Sequence, residues 1–383
     1  MRPAAEFELQ QAEEPALAAL PAGARVLIIR LRSMGDTVLM TPALRLLHEW
    51  RPDLEVSVLV EPPWDQLLES NPAVHAVMVL RSKGLTAWQV WKKRFAAVVN
   101  LHGGPTSALL TRLSRAGWRA GYSHFRDQSA YNLHVPTAQA ILGNTGPVHT
   151  AEHIASCFFW LGVPAAEIPA AEVFPSVVAR QSVWAKLQSQ GVEEGQPYAV
   201  LHPAALYPSK QWRARGFAEI GEYLEQEFSL RPVYVCAAGE EETLRKIERW
   251  SGHSILRAEG WPIRELVALT AGARVFVGND SGPAHIAAAA RIPVVAIFGS
   301  SHAAVWKPWK AVEAAVVQNY FDCNPCAGDR CSVYEEPRCI LSLTTEQVKV
   351  CLDAVLRSST PSHRPAGFRR RDDDGKGTAT AGS

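Results

Sequence analysis

The feature that most constrains the fold is a series of short runs rich in Val, Ile and Leu, separated by segments with helical spacing. The first half of the sequence contains RVLIIRL, EVSVLV, HAVMVL and FAAVVNL, and the second half contains YAVLHP, RPVYVCA, ARVFVGN and IPVVAIFG. Near-continuous apolar strands that alternate with helices are typical of parallel sheets covered on both faces. We therefore predict an α/β fold with doubly wound sheets, which bind ligands at the carboxyl ends of their strands.

The series occurs twice, on either side of a proline-containing join at residues 164–197. A chain of 383 residues is also long for one hydrophobic core, since single cores stop growing at about 250–300 residues. We predict two Rossmann-like domains that face each other across a cleft, over residues 24–175 and 176–357, with a last helix able to pack back on the first domain. Residues 1–23 are interpreted as an N-terminal extension and residues 358–383 as a disordered tail.

The composition limits the classes of function. The formal net charge is +1 and 20% of the residues are charged, which argues against a general nucleic-acid binder. No apolar stretch approaches the ~20 residues that a membrane-spanning helix needs, and the N-terminus lacks a signal-peptide pattern. We expect a cytoplasmic protein that binds no nucleic acid.

The segment RLRSMGDTVLMTPAL places Asp36 where a strand that ends near Leu31 hands over to a helix. Backbone N–H groups at the helix start, with Arg30 and Arg32 nearby, favour an ionised carboxylate. Such a carboxylate can accept a proton from a sugar hydroxyl as that hydroxyl attacks. The alternative is a helix-capping aspartate, which is a common structural role.

A second segment, VGNDSGPAHIAAAA, turns from a strand into a small-residue helix. Ser281 and Gly282 would present backbone N–H groups at the helix N-terminus, which is a typical phosphate site, and His285 lies one turn further on. The alternative is a plain strand-to-helix turn capped by Asp280.

Two further loops follow predicted strands. In LYPSKQW, Lys210 lies in a polar loop where it can act as a point charge on a diphosphate. In CAAGEEETL, a strand is followed by three glutamates, one of which could bind a ribose hydroxyl, while the others complement the helix dipole.

Together, RSMGDTVLMTPAL, SKQWRARGFAEI and VGNDSGPAHIAAA resemble glycosyltransferase family 9, the ADP-heptose:lipopolysaccharide heptosyltransferases, over roughly residues 24–357. The resemblance implies the GT-B fold, with the acceptor held by the N-terminal domain and the nucleotide sugar by the C-terminal one. It also implies an inverting transfer of heptose from ADP-heptose to a lipopolysaccharide core or related glycolipid acceptor. A nucleotide-sugar epimerase of the same fold and a nucleotide-sugar-binding protein without turnover are the alternatives.

By this resemblance, Asp36 matches the general base that deprotonates the acceptor hydroxyl. Arg32 and Gly35 beside it are assigned to the acceptor side, where the glycine would let the acceptor approach the backbone. His102 closes the fourth predicted strand and is placed on the same side, although a simple strand-to-helix turn is equally compatible with NLHGGPTSALL.

The donor side follows in the same way. The residues that match the family's donor-binding positions are Lys210, Asp280, Ser281, Gly282 and His285. Glu241 is assigned to the adenosine ribose, with Glu240 and Glu242 as close alternatives. No cofactor is implied for catalysis, because Lys210 and helix N-termini can supply the positive field.

Residues 81–126 contain nine Lys or Arg residues and no Asp or Glu, with Trp88, Trp91 and Phe95 interspersed. One interpretation is a surface that meets anionic lipid headgroups or glycolipid phosphates, which would place the protein peripherally on the inner face of the cytoplasmic membrane. The other is a solvated basic helix whose aromatic side chains pack on the sheet.

A cysteine-rich segment, CNPCAGDRCSVYEEPRC, places Cys323, Cys326, Cys331 and Cys339 at C-x2-C-x4-C-x7-C spacing. Four thiols this close suggest a structural zinc site or an iron–sulfur cluster, and plain reduced thiols or a disulfide are the alternatives.

In VHTAEHIASCFF, His149 and His153 suggest a helix that faces the domain join. We interpret both as surface histidines.

Overall fold

The structure is a computed structural model that describes residue 12 and residues 15–326 and 329–358. The strands of the first sheet are β1 Arg25–Ile29, β2 Glu55–Val60, β3 Ala76–Val79, β4 Ala97–Asn100, β5 Trp118–Tyr122 and β6 Leu133–Val135. Those of the second sheet are β7 Tyr198–His202, β8 Arg231–Cys236, β9 Leu256–Glu259, β10 Val275–Asn279, β11 Val294–Phe298 and β12 Ala314–Gln318. Both sheets are built from the apolar runs that the sequence analysis identified as strands.

Helices connect these strands. The helices of the first half are α1 Met34–Trp50, α2 Lys83–Lys93, α3 Pro105–Leu113, α4 Ala138–Leu142 and α5 Thr150–Trp160. Those of the second half are α6 Val177–Ser189, α7 Ala214–Phe228, α8 Glu241–Ser251, α9 Ile263–Gly272, α10 Gly282–Ala289, α11 Ala303–Trp306, α12 Arg338–Leu341 and α13 Thr345–Ser358.

The two sheets have the same topology. The first runs β3-β2-β1-β4-β5-β6 and the second runs β12-β11-β10-β7-β8-β9, and every strand pairing is parallel. In each sheet the first and fourth strands are neighbours, with Ile29 opposite Asn100 and His202 opposite Gly278. The strand order reverses between these neighbours, so a crevice opens at their carboxyl ends. The predicted doubly wound α/β architecture is confirmed.

Each sheet is buried on both faces. In the first sheet, one face packs under α1 and α5, and the other packs under α2 and α3 through Val90 and Leu110. The central strands are almost entirely inaccessible, which explains why they read as continuous apolar runs rather than alternating ones.

The two halves meet at the starts of two helices. Helix α1 packs on α10, and the approach is so close that a Cβ added at Gly282 would lie 2.5 Å from Met34 Sδ. A second contact joins the start of α5 to α11 and the segment after it. Thr150 Oγ1 donates to the Val305 carbonyl of α11 at 3.2 Å, and Trp309 joins the core of the first half.

The chain termini differ in part from expectation. The described residues of the N-terminal extension are packed rather than loose, since Leu17 is 1% exposed and its N–H donates to the Leu161 carbonyl. Helix α13 packs on α7, β11 and β12, so its main contacts are with the second sheet, whereas the sequence analysis allowed it to return to the first domain. The predicted disordered tail lies outside the described residues, apart from Ser358 at its start.

Candidate active site

Asp36 lies in the first turn of α1, at the crevice of the first sheet. Its Oδ2 accepts hydrogen bonds from Ser33 N at 3.1 Å and from Ser33 Oγ at 3.0 Å. Ser33 is the N-cap residue of α1 and Asp36 is the third helical residue, so the carboxylate reaches back to cap the helix and lies in its positive field. The structural role weighed for Asp36 is therefore real, although Ser33 rather than Asp36 is the N-cap residue.

Arg30 holds the other oxygen of Asp36. Its guanidinium forms an ion pair with Asp36 Oδ1 and also donates to the Leu101 carbonyl, so it links the ends of β1 and β4. Apart from this ion pair, Oδ1 is a buried atom with no hydrogen-bond donor among the described residues. Ser33 and Arg30 together hold the carboxylate in place at the start of α1.

Two histidines lie close to this carboxylate. His102, just beyond β4, is half-buried, and burial followed by the charges of Arg30 and Arg32 lowers its pKa. His153 on α5 stacks on Tyr122 with ring centroids 4.5 Å apart. Burial, followed by the influence of His124 and Arg30, lowers the pKa of His153 to about 4. Both imidazoles are therefore neutral at pH 7 and leave Asp36 as the anionic group beside them.

The start of α10 forms the opposite wall. Ser281 is its N-cap residue, but the Ser281 hydroxyl is turned away from the helix and contacts the Asn279 carbonyl and His202 Nδ1, each at 3.1 Å. The Ser281 side chain does not cap α10. Pro283 has no N–H and the Ala284 N–H donates to the Ser281 carbonyl at 3.1 Å, so the Gly282 N–H at the positive end of the helix is the first-turn group that can face an anion.

Lys210 stands beside this helix start. It ends a short 3-10 turn, and its Nζ lies 2.8 Å from Asp280 Oδ2. Asp280 is buried and pairs with Lys210 instead of capping α10, so the capping alternative for Asp280 is wrong. The ion pair places the Lys210 ammonium group beside the start of α10. A lysine there can act as a point charge on a diphosphate.

Two buried histidines line the same helix start. Burial lowers the pKa of His202, at the end of β7, to about 4. Burial also lowers the pKa of His285 to about 4, against smaller opposing effects of Asp280 and Asp36. His285 Nδ1 is a buried ring nitrogen with no hydrogen-bond partner among the described residues.

The three glutamates after β8 are not equivalent. Glu242 is held by Arg245 and Arg249, and these hydrogen bonds lower its pKa to about 2. Glu241 accepts from Gly239 N at 2.7 Å and Glu240 from Ala237 N at 2.9 Å. Glu241 and Glu240 thus stay at the strand end, whereas Glu242 is engaged on the surface.

The start of α1, which carries Asp36, is in contact with the start of α10. A Cβ added at Gly35 would lie 2.9 Å from His285 Cδ2, so this glycine is needed for the approach of α10. The sequence analysis gave it a different reason, the approach of an acceptor. The acceptor-side assignments of Gly35, of the exposed Arg32 and of His102 remain predictions.

Sequence reasoning missed several residues of this site. His202 is buried and contacts Ser281. Arg30 was noted only as a neighbour of Asp36, although its guanidinium connects the ends of β1 and β4. Each follows or ends a predicted strand at the crevice, and that position is the signal that could have found them.

The interpretation of His149 and His153 as surface residues is wrong. His149 is 3% exposed, its Nε2 lies 2.8 Å from the Lys307 carbonyl, and its ring packs against Trp309 with centroids 4.6 Å apart. His153 is half-buried near Asp36. The start of their helix contacts Val305 and Lys307 of the second half, and the expectation that it faces the join at residues 164–197 stays a prediction.

The predicted metal site is not supported. Across residues 12, 15–326 and 329–358, no three or more His, Cys, Asp or Glu side chains are grouped to hold a metal ion. Cys331 instead accepts a hydrogen bond from Tyr334 N at 3.3 Å. Cys339 is buried in α12, which raises its thiol pKa. All four cysteines, Cys323, Cys326, Cys331 and Cys339, are free thiols.

This site combines a positioned carboxylate at the start of α1 with the N-terminus of α10 and Lys210, where two like sheets meet. A profile of glycosyltransferase family 9 (heptosyltransferase) matches residues 87–335. The chain belongs to this family. It is therefore a glycosyltransferase, and the epimerase alternative is set aside.

Individual relatives agree with this membership. Lipopolysaccharide heptosyltransferase 3 of Escherichia coli (strain K12) is 26% identical over 302 residues, which cover 73% of this chain and 83% of that protein. The crystal structure of the glycosyl transferase family 9 protein from Veillonella parvula DSM 2008 matches with a TM-score of 0.76 at 19% identity, over 92% of this chain and 99% of that one.

A third match is E. coli heptosyltransferase WaaC, solved with ADP-2-deoxy-2-fluoro heptose. Its TM-score is 0.61 at 21% identity, over 86% of this chain and 99% of that one. With the family membership, these structures confirm the predicted GT-B fold. None of the helices in the described part of the chain has both the length and the hydropathy that crossing a bilayer requires.

Proposed function

We propose that this glycosyltransferase moves a heptose from ADP-heptose to a lipopolysaccharide core or a related glycolipid, with inversion at the anomeric carbon. Asp36 is the general base, and the start of α10 with Lys210 is the diphosphate site. Support for the sugar and the acceptor comes from the relatives, which include a lipopolysaccharide heptosyltransferase and a heptosyltransferase bound to an ADP-heptose analogue.

The observation that carries this proposal is the contact between the two helix starts. Gly35 lies against His285, and the next residue, Asp36, is held in place by Ser33 and Arg30. An acceptor hydroxyl on Asp36 would thus lie beside a sugar whose diphosphate occupies the start of α10. Holding two reactants close together in the right orientation can lower the barrier by about 7–11 kcal/mol.

In the reaction, the acceptor O–H transfers its proton to Asp36 as the oxygen attacks the anomeric carbon. The bond between that carbon and the phosphate oxygen breaks, and both of its electrons leave with ADP. The negative charge that develops on the leaving oxygen is stabilised by the α10 N–H groups and by Lys210. Attack from the face opposite the leaving group inverts the anomeric configuration.

The acceptor side favours an anionic acceptor. Arg30 is engaged by Asp36, but the exposed Arg32 and the half-buried His102 lie next to it. A phosphate or carboxylate on the acceptor would find a cation in Arg32 and a neutral hydrogen-bonding ring in His102.

The test is release of ADP from ADP-heptose in the presence of a lipopolysaccharide-core acceptor. Asp36→Asn keeps a side-chain oxygen that can accept the hydrogen bond from Ser33 N, but it removes the basic carboxylate. We expect kcat to fall about 10²- to 10⁴-fold. The matched control is Glu152→Gln in α5, where Glu152 caps His149 N at 2.9 Å in the same way. This control should retain activity within about threefold, because a neutral cap costs little.

Equal turnover by Asp36→Asn and the wild type would show that Asp36 is not the base. If the wild type released ADP from no nucleotide sugar offered, the chain would bind nucleotide sugars without turnover.

A further inference from the structure

The outer surface of α2 and α3 exposes large apolar side chains. Their exposed fractions are 54% for Leu85, 50% for Trp88, 49% for Trp91, 43% for Leu109 and 39% for Leu113. Among the described residues before α6, these five are the large apolar side chains that are exposed. We call this surface the α2–α3 face. The interpretation that Trp88 and Trp91 pack on the sheet is wrong, although Phe95, at 3% exposed, does so.

The exposure follows from how the two helices are anchored. Val90 and Leu110 fill the core beneath them, with Leu27 and Ile29 of the first sheet. Since α2 and α3 also pack on each other, the side chains on their opposite surfaces lie side by side. An apolar patch built in this way on a folded domain typically marks an interaction site.

The charge of the α2–α3 face has one sign. The segment from 81 to 126 has nine basic residues and no acidic one, and none of the nine forms a salt bridge with another described residue. Lys92 lies over the Trp88 ring at 4.8 Å. Exposed tryptophans next to unpaired lysines match the boundary between headgroups and acyl chains of an anionic bilayer.

A groove borders the same face. It has a volume of ≈ 660 Å³ between β3 and α2. Its apolar lining includes Met78, Leu85 and Trp88, and its basic lining consists of Arg25, Arg81, Lys92 and Lys93, with no acidic residue. An apolar floor with a basic rim fits the phosphate and upper acyl chain of a phospholipid.

The α2–α3 face lies away from the catalytic crevice. It covers the side of the first sheet opposite α1, the helix that packs on α10. Helix α3 nevertheless begins at Pro105, three residues after His102 on the acceptor side. A surface docked through the α2–α3 face would therefore lie near the acceptor end of the crevice without blocking it.

We propose that the α2–α3 face docks the protein on a bilayer that contains anionic phospholipid. Trp88 and Trp91 enter the headgroup region, and the lysines and arginines around them bind the lipid phosphates. This docking goes beyond the transfer reaction and places the enzyme where a glycolipid acceptor is embedded.

The test is co-sedimentation of the full chain with vesicles of phosphatidylcholine alone and of phosphatidylcholine mixed with phosphatidylglycerol. We expect binding only to the mixed vesicles, and weaker binding at high salt. Two double variants, Trp88→Ser with Trp91→Ser and Lys92→Glu with Lys93→Glu, should each weaken binding about tenfold or more. ADP binding by each variant verifies that it is folded, and this readout is independent of turnover.

Trp250→Ser is the matched control. Trp250 on α8 is 57% exposed and also lies under a cation, with Arg215 at 5.1 Å, but its helix begins with glutamates. Its loss should leave vesicle binding unchanged. Equal binding to both kinds of vesicle, no binding to either, or equal weakening by Trp250→Ser would overturn the proposal. A lipid-free dimer that the Trp88 and Trp91 substitutions dissociate would also overturn it, because the face would then belong to a second copy.

Discussion

The N-termini of α1 and α10 have similar positions in the two sheets but differ in the charge that lies on them. Each follows a central strand of its sheet, and each has a serine as N-cap residue. At the third helical position, however, α1 has Asp36 and α10 has Ala284. One helix end is filled by its own carboxylate, whereas the other is left open for the negative charge of a ligand.

The surroundings reinforce this difference. Near α1, the Arg30 guanidinium pairs with the built-in carboxylate. Near α10, the Asp280 carboxylate precedes the helix and is neutralised by Lys210, while the Ser281 hydroxyl turns away. In the proposed function, similar topology therefore places a proton acceptor in one half and an anion receptor in the other, and the side chain at the third helical position is one of the differences between them.

The largest expected effect comes from making the two helix starts alike. Ala284→Asp would place a carboxylate at the third position of α10, where it would occupy the N–H groups and repel a diphosphate. We expect ADP affinity to fall about 100-fold or more, since removing charged hydrogen-bond partners costs about 1.5–3 kcal/mol each. Isothermal titration with ADP measures the effect.

Ala284→Asn is the matched control, because Ala284 is 3% exposed and both substitutions disturb its packing equally. The asparagine variant should bind ADP more tightly than the aspartate variant. If the two lost affinity equally, packing rather than charge would be responsible.

A smaller effect is expected from acid. Burial lowers the pKa of His202 to about 4, below the value of about 6.5 in an unfolded chain. Between pH 6.5 and 4 the unfolded chain therefore binds a proton that the folded chain excludes, so stability present above pH 6.5 is lost as the pH falls. When the pH is lowered from 7 to 5, the free energy of unfolding should fall in both proteins. We expect this fall to be about 1–2 kcal/mol smaller in His202→Asn than in the wild type.

Denaturant titrations at the two pH values measure this difference. Parallel losses in the wild type and His202→Asn would show that His202 is not held neutral at the start of α10.

The strands and the two helix starts were predictable because their signals are local. Continuous apolar runs identify buried parallel strands, and Asp36 and Ser281 stand where such runs end. The GT-B fold followed from three motifs that keep their order along the chain, and the donor-side assignments made from the same motifs stay predictions.

What escaped prediction depends on long-range contacts. Lys210 meets Asp280 across 70 residues, and His149 meets Lys307 across 158. Sequence spacing cannot show that a histidine will be buried by a distant segment, nor whether four nearby cysteines will be grouped to hold a metal ion. The exposure of Trp88 could not be predicted either, because a tryptophan can occupy the buried or the exposed face of a short helix.

The central claim is that the two helix starts divide the work, with the base on α1 and the diphosphate on α10. The most direct measurement is the ADP dissociation constant of Asp36→Asn beside that of Lys210→Met. We predict an unchanged constant for Asp36→Asn and one about 10- to 100-fold weaker for Lys210→Met, which loses a charged hydrogen-bond donor. A loss of ADP affinity in Asp36→Asn as large as that in Lys210→Met would contradict this division.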